Sequence, residues 1–313
     1  MKNVTKANVL FTSTVLVYMI LVYTIRLLPA DIFSFNVLMV LPEFVLLIPS
    51  VLYLAFMRKD ALDNNGYQKV SLFTVFMTVL FTFCMIPVVT FINMISTLFV
   101  ENSVSGTVDY IVENNSMILN LILLALIPAV VEEFIFRGLI FNGYKKRNPL
   151  KAALLSAVLF GLIHLNINQF SYAFVLGIVF ALLTYVTGSI IPSTIAHFVI
   201  NGTTVVLSHL MANMDTGSVN VNTEVAVQQL SEEMILLIAF FMYAVFAVVG
   251  ISVGGVIFYF ICKKNRGIES FKMIFKKPLR NSYDETQGRF FDGYLLLGIG
   301  ICVIYMITYE FIL

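Results

Sequence analysis

Residues 117–144 read MILNLILLALIPAVVEEFIFRGLIFNGY, an apolar run with Glu132 and Glu133 side by side and Arg137 four residues after the second. At about 1.5 Å per residue the run is long enough to cross a bilayer, and the carboxylates fall near its middle. An ionisable side chain at that depth costs about 2.5–3.5 kcal/mol on insertion scales, so such residues are retained for a site. Only 12% of the 313 residues are charged, which makes an adjacent pair inside an apolar run more pointed still. Two of the three histidines, His164 and His197, fall in the next apolar segments. Together these residues read as one buried hydrolytic centre.

The surrounding chain sets the class. It is 59% hydrophobic with mean hydropathy +0.94. A soluble domain is closer to 45–50% apolar, so a polytopic all-α membrane bundle is expected. Candidate membrane helices lie at 8–25, 37–57, 71–100, 117–144, 151–165, 170–187, 190–212, 232–262 and 292–313. Eight or nine transmembrane helices follow, the fifth being short. The first run resembles a signal peptide but is long for one and lacks a small-residue cleavage site before Arg26, so it reads as a span. Cys84, Cys262 and Cys302 have neither disulfide nor metal-ligand spacing and read as small buried hydrophobes. No internal repeat is visible, and no nucleic-acid partner is expected.

Charge then sorts the linkers. Lys2 and Lys6 precede the first span; Arg58, Lys59 and Lys69 follow the second; Lys145, Lys146, Arg147 and Lys151 follow the fourth; and eight Lys or Arg lie between 263 and 289. The linkers 101–116 and 213–231 carry only acids. With nine crossings all basic linkers share one side and both acidic ones the other. The positive-inside rule makes the basic side cytoplasmic, with the N-terminus in. Three regions result: N-terminal spans over 1–116, a core over 117–212, and C-terminal spans over 213–313 with a basic loop at 263–291.

Antiparallel packing converts sequence spacing into proximity. Glu133 lies about 18 Å from Lys145 along its helix, and His164 lies about 20 Å from Lys151 along the next, so they meet at similar depth. By the same count His197 is shallower, about 8 Å beyond Pro192, with Asn201 one turn deeper on its face. Peptide hydrolysis needs a base for water, donors for the developing oxyanion and a proton for the leaving amine. Glu132 beside His164 suits the water, His197 with Asn201 suits the oxyanion, and Glu133 with Arg137 suits a supporting ion pair. A catalytic zinc on Glu132, His164 and His197 is the alternative. No HExxH is present and the same groups suffice without metal, which is the reading preferred.

The motifs carry a resemblance. Glu132-Glu133-Phe134-Ile135-Phe136-Arg137 resembles the EExxxR motif of the CAAX-protease and bacteriocin-processing (CPBP, or Abi) intramembrane protease family. Phe160-Gly161-Leu162-Ile163-His164 resembles its FxxxH motif, and His197-Phe198-Val199-Ile200-Asn201 its HxxxN motif. The resemblance covers about 117–212. It implies a membrane endopeptidase, its active site in a cavity between helices and open to the cytoplasmic side. It also implies Glu132 and His164 on the catalytic water and His197 with Asn201 at the oxyanion. A membrane-associated peptide or protein is the substrate expected, in a bacterial cell membrane. A non-catalytic scaffold or immunity protein is the rival reading; a proton- or cation-coupled transporter is a weaker one, since neither inverted repeats nor paired broken helices are visible.

Other residues read more plainly. Glu43, after Pro42, is a further intramembrane acid outside the catalytic set. Phe160 shapes packing beside the site, His209 is incidental, and Gly250-x-x-x-Gly254 is a small-residue packing pattern. Ile268, Phe271, Ile274 and Phe275 form an apolar stripe among basic residues. That pattern fits an ordinary basic loop, or an interfacial helix on anionic lipid over 263–277.

Overall fold

A computed structural model describes residues 3–29, 32–61, 67–101, 112, 114–213, 231–276 and 288–311. Among these residues the fold is all helical: α1 (Asn3–Leu27), α2 (Phe35–Ala61), α3 (Leu72–Ser96), α4 (Met117–Lys145), α5 (Pro149–Leu162), α6 (Ile167–Thr187), α7 (Ile191–Ala212), α8 (Glu232–Lys264), α9 (Ile268–Ile274) and α10 (Gly293–Phe311). Eight of them are long and apolar enough to cross a membrane. The exceptions are α9 and α5, the latter with 14 residues, or about 21 Å against a hydrocarbon core of about 30 Å. The fifth segment is short, as the run 151–165 suggested, and the chain turns at 163–166.

Local chemistry explains the boundaries. The side chains of Ser71, Ser116, Asn148, Asn166 and Ser231 each accept a hydrogen bond from a first-turn amide of the helix they precede. Pro149 occupies the first turn of α5, where its missing N–H costs nothing. Gly188 ends α6 at φ +67°, the left-handed conformation that closes a helix.

Two ends of the bundle are recognisable from contacts. At one, Asn8 donates to the carbonyl of Phe290, Tyr144 to Asn8, Gln68 to the carbonyl of Gly188, and Asn265 to Thr74. At the other, Arg26 meets Tyr305, Asn36 meets Asn115, and Asn120 meets His209. The first end holds the helix ends that border the basic linkers, of which residues 62–66 and 277–287 lie outside the described residues. This grouping matches nine alternating passes with α5 as a short one.

Helix α8 leans on α3 and otherwise exposes apolar side chains such as Leu236, Phe241 and Val248 along its length, as a lipid-facing helix does. The close approach needs Gly250 and Gly254: a Cβ on Gly250 would run into the carbonyl oxygen of Cys84, and one on Gly254 would come within 2.7 Å of Met85. Gly250→Val is therefore expected to lower stability by about 1–3 kcal/mol through overpacking, read as a drop in Tm of the detergent-solubilised protein, while Gly255→Ala, which meets nothing, leaves it unchanged.

The basic stripe forms a helix. In α9 Ile274 is buried, Phe271 packs edge-on against Phe258 at 5.4 Å, and Phe275 just beyond stays exposed. Glu269 and Lys272 pair at 2.8 Å on its solvent side, and that hydrogen bond holds the Glu269 carboxyl below its usual range.

Candidate active site

The helix that carries the carboxylates is irregular in two places. Leu121–Leu126 and Phe134–Phe141 are π-helical, flanking the α-helical piece Ile127–Glu133. Such wide turns concentrate at functional sites because they free backbone groups and rotate side chains. Pro128 supplies one physical cause: without an N–H it cannot donate to the carbonyl four residues back, that of Leu124. The Asn201 side chain, from α7, donates to that carbonyl at 3.3 Å. The HxxxN residue thereby pins α7 to α4 at the level of the site, and its amide keeps a second N–H.

Glu133 and Arg137 form a fully buried pair, Nη1 to Oε1 at 2.7 Å with both side chains 0% exposed. A second guanidinium nitrogen donates to the carbonyl of Gly177 on α6 at 3.2 Å. The guanidinium also lies 4.2 Å over the ring of Phe160 and 5.1 Å from that of Phe180. Arg137 thus ties α4 to α5 and α6 behind the reactive groups.

Phe160 is the hub of the aromatic layer. Its ring meets His164 edge-on at 5.2 Å and His197 edge-on at 5.8 Å, while Phe180 stacks on His197 at 5.2 Å. His164 sits just past the end of α5, and its Nδ1–H is held by the carbonyl of Phe160 at 2.9 Å. That bond fixes the tautomer and leaves Nε2 as the free nitrogen. The next residue, Leu165, is buried at φ +54°, a conformation costly for a side chain of its size, so the turn carrying His164 is held under local strain. His197 lies between the two glutamates, Nε2 3.9 Å from Glu132 and Nδ1 3.4 Å from Glu133.

These groups line one cavity of about 270 Å³, which includes Glu132, His164, His197 and Asn201. Glu133 and Arg137 stand behind it. Glu43 reaches the same cavity from α2 and lines it together with Glu132. Oε2 of Glu43 and Oε2 of Glu132 are both buried without a hydrogen-bond partner. Tyr18 of α1 closes that flank.

All six residues anticipated from the three motifs therefore stand together. His197 is at the depth of the carboxylates, not shallower. Helix α7 starts well inside the basic end: Tyr67 bridges to Ser189, and its hydroxyl would lie 3.2 Å from a Cβ placed on Gly138, about 10 Å along α4 from Lys145. Glu43 joins the site, where the sequence reading left it outside. The signal was an acid beside Pro42 in an apolar run; nothing in the spacing tied it to α4. His209, read as incidental, is buried against Asn120 at 3.0 Å, away from the cavity.

A zinc ion was the alternative for Glu132, His164 and His197. Among the described residues no group of three or more His, Cys, Asp or Glu stands close enough to hold a metal ion. As placed, these side chains do not form a ligand sphere.

Residues 114–203 match the family model described as type II CAAX prenyl endopeptidase Rce1-like. The chain is 28% identical over 123 residues to the protein named "Putative membrane peptidase YdiL" of Bacillus subtilis (strain 168), a match covering 34% of this chain and 50% of that protein. The chain thus spans about half the length of the curated relative it matches. No solved structure matches it.

Proposed function

We propose that this chain, whose core belongs to the Rce1-like type II CAAX prenyl endopeptidase (CPBP, or Abi) family, is an integral membrane endopeptidase that cuts membrane-associated peptides with water activated by Glu132. The observation that carries the reading is the convergence of three motifs, from three helices, on one cavity of about 270 Å³. Water held between Glu132 and Nε2 of His164 gives its proton to the carboxylate as its oxygen attacks the carbonyl carbon. The oxyanion that forms takes hydrogen bonds from His197 and the spare N–H of Asn201. Glu132 then passes its proton to the amide nitrogen as the C–N bond breaks. Glu133 and Arg137 stay outside the reaction and hold the cavity wall.

The substrates that suit this chemistry are CAAX-type proteins, peptide pheromones or bacteriocin leaders, and cleavage of the last would serve self-immunity. In a bacterial membrane the N-terminus lies in the cytoplasm, by the charge of the linkers. Helix α9 rests on anionic headgroups through its basic flank.

The test is cleavage by purified protein in lipid vesicles, with products identified by mass spectrometry. The parent should cut peptides of this class. His164→Ala should lower kcat by about 10²–10⁴-fold. Cleavage by His164→Ala at the parent's rate removes His164 from the mechanism.

A further inference from the structure

Glu43 lies outside the three motifs, yet it is the second carboxyl that lines the site cavity. Helix α2 carries it, and α2 packs on Ile127–Glu133, the piece of α4 that ends in the glutamate pair. Helix α7, with His197 and Asn201, packs on that same piece. Glu132 thus has as neighbours one helix that brings hydrogen-bond donors and another that brings an acceptor. An acid inside an apolar helix is costly to keep, and Pro42, directly before it, already deprives α2 of one backbone donor. Neither residue favours α2 itself, so what Glu43 meets in the cavity accounts for it.

The polar groups of the cavity divide by what they can exchange. Glu132 and His164 hold the water, and His197 and Asn201 serve the oxyanion. Tyr18, Gln169 and Tyr172 remain, each able to donate as well as accept, and Glu43 remains as a carboxylate, which can only accept. Oε2 of Glu43 is buried with no hydrogen-bond partner, and none of the described residues lining the cavity is Lys or Arg. A buried acceptor left unmet is expensive. No protein group meets this one, so the donor that satisfies it comes with the substrate.

We propose that Glu43 accepts a hydrogen bond from the N–H of the scissile amide and so fixes the leaving nitrogen in the site, an inference that rests on the peptidase reading. A trans peptide bond is planar, with its C=O and N–H pointing in opposite directions. Donors from α7 take the oxygen, and the acceptor from α2 takes the N–H, so one amide plane spans the cavity between them. Holding the amide at both ends sets its carbonyl carbon against the water on Glu132. As that carbon becomes tetrahedral, the nitrogen lone pair develops out of the plane, free of Glu43, and receives the proton that Glu132 took from the water. The C–N bond then breaks. No proton moves to or from Glu43, and the freed amine still has N–H groups to give it.

The test replaces one atom of the substrate. A reporter peptide, and the same peptide with its scissile N–H replaced by an ester oxygen, are offered in lipid vesicles to the parent, Glu43→Met and Glu43→Gln. Each protein's kcat/KM for the amide is divided by its kcat/KM for the ester, which cancels the intrinsic reactivity of the two bonds and any general damage to the site. This ratio should fall about tenfold to a hundredfold in Glu43→Met, the worth of one hydrogen bond to a charged group. Glu43→Gln keeps a carbonyl acceptor and should hold the ratio within a few-fold of the parent's. Both variants remove a buried acid, so neither should lower Tm. An unchanged ratio in Glu43→Met, whatever its absolute rates, overturns the assignment. A ratio in Glu43→Gln as low as that in Glu43→Met also overturns it, since Glu43 would then act through its charge. Should the parent cut neither substrate, the peptidase reading fails and takes the inference with it; should it cut both while the ratio stays put in Glu43→Met, the assignment of Glu43 alone fails.

Discussion

Glu132→Gln is expected to lower peptide cleavage about a thousandfold while leaving the fold intact and its thermal stability equal or higher. Glu132 is 7% exposed, lines the cavity, and has one oxygen with no donor. Glutamine keeps the shape, but it cannot take a proton from water. General-base removal alone is worth about 10²–10⁴-fold. A neutral amide also escapes the desolvation that a buried carboxylate suffers, so stability has no reason to fall. The paired measurements are kcat on a reporter peptide and Tm of the same preparation. A large fall in both would mean that Glu132 holds the bundle together and that the rate loss reports unfolding.

Arg137→Met should have the largest effect on stability. It strips the 2.7 Å partner from Glu133 where neither side chain reaches solvent, and leaving one buried charge unpaired costs about 3–5 kcal/mol. It also removes the guanidinium from the face of Phe160, whose ring touches both histidines, so activity falls with the fold. The double variant Glu133→Gln/Arg137→Met has no uncompensated charge and should recover most of the lost stability. Equilibrium or thermal unfolding of the parent, both single variants and the double variant gives the coupling directly. Additive losses would show that the pair is not a unit.

Much of this was legible in the sequence because the bilayer is a severe filter. A chain with mean hydropathy +0.94 and few charges can bury its backbone polar groups only in helices, and the few charges then mark either ends or a site. The basic and acidic linkers sorted onto two sides, and the ends of the helices sort the same way in space. Motif spacing brought Glu132, His164 and His197 to a common region because α4, α5 and α7 are joined by turns that return the chain.

What escaped reading has physical reasons too. The shortness of α5 was legible, but the left-handed turn at Leu165 that follows it was not, since the residue type does not announce that conformation. The depth of His197 depends on Tyr67 and Ser189 tucking into the basic end, a long-range pairing that periodicity does not encode. Asn201 meets the carbonyl of Leu124, to which Pro128 has no N–H to give, a contact between helices that spacing does not announce. Glu43 lies outside the matched segment, and its approach to Glu132 follows from how α2 crosses α4.

The most direct test of Glu132-activated hydrolysis is cleavage of a peptide by vesicle-embedded protein in oxygen-18 water, with the new carboxyl terminus weighed by mass spectrometry. One labelled oxygen should enter each new carboxylate made by the parent, and Glu132→Gln should yield only trace product. Unlabelled product from the parent, or labelled product from Glu132→Gln at the parent's rate, would contradict it.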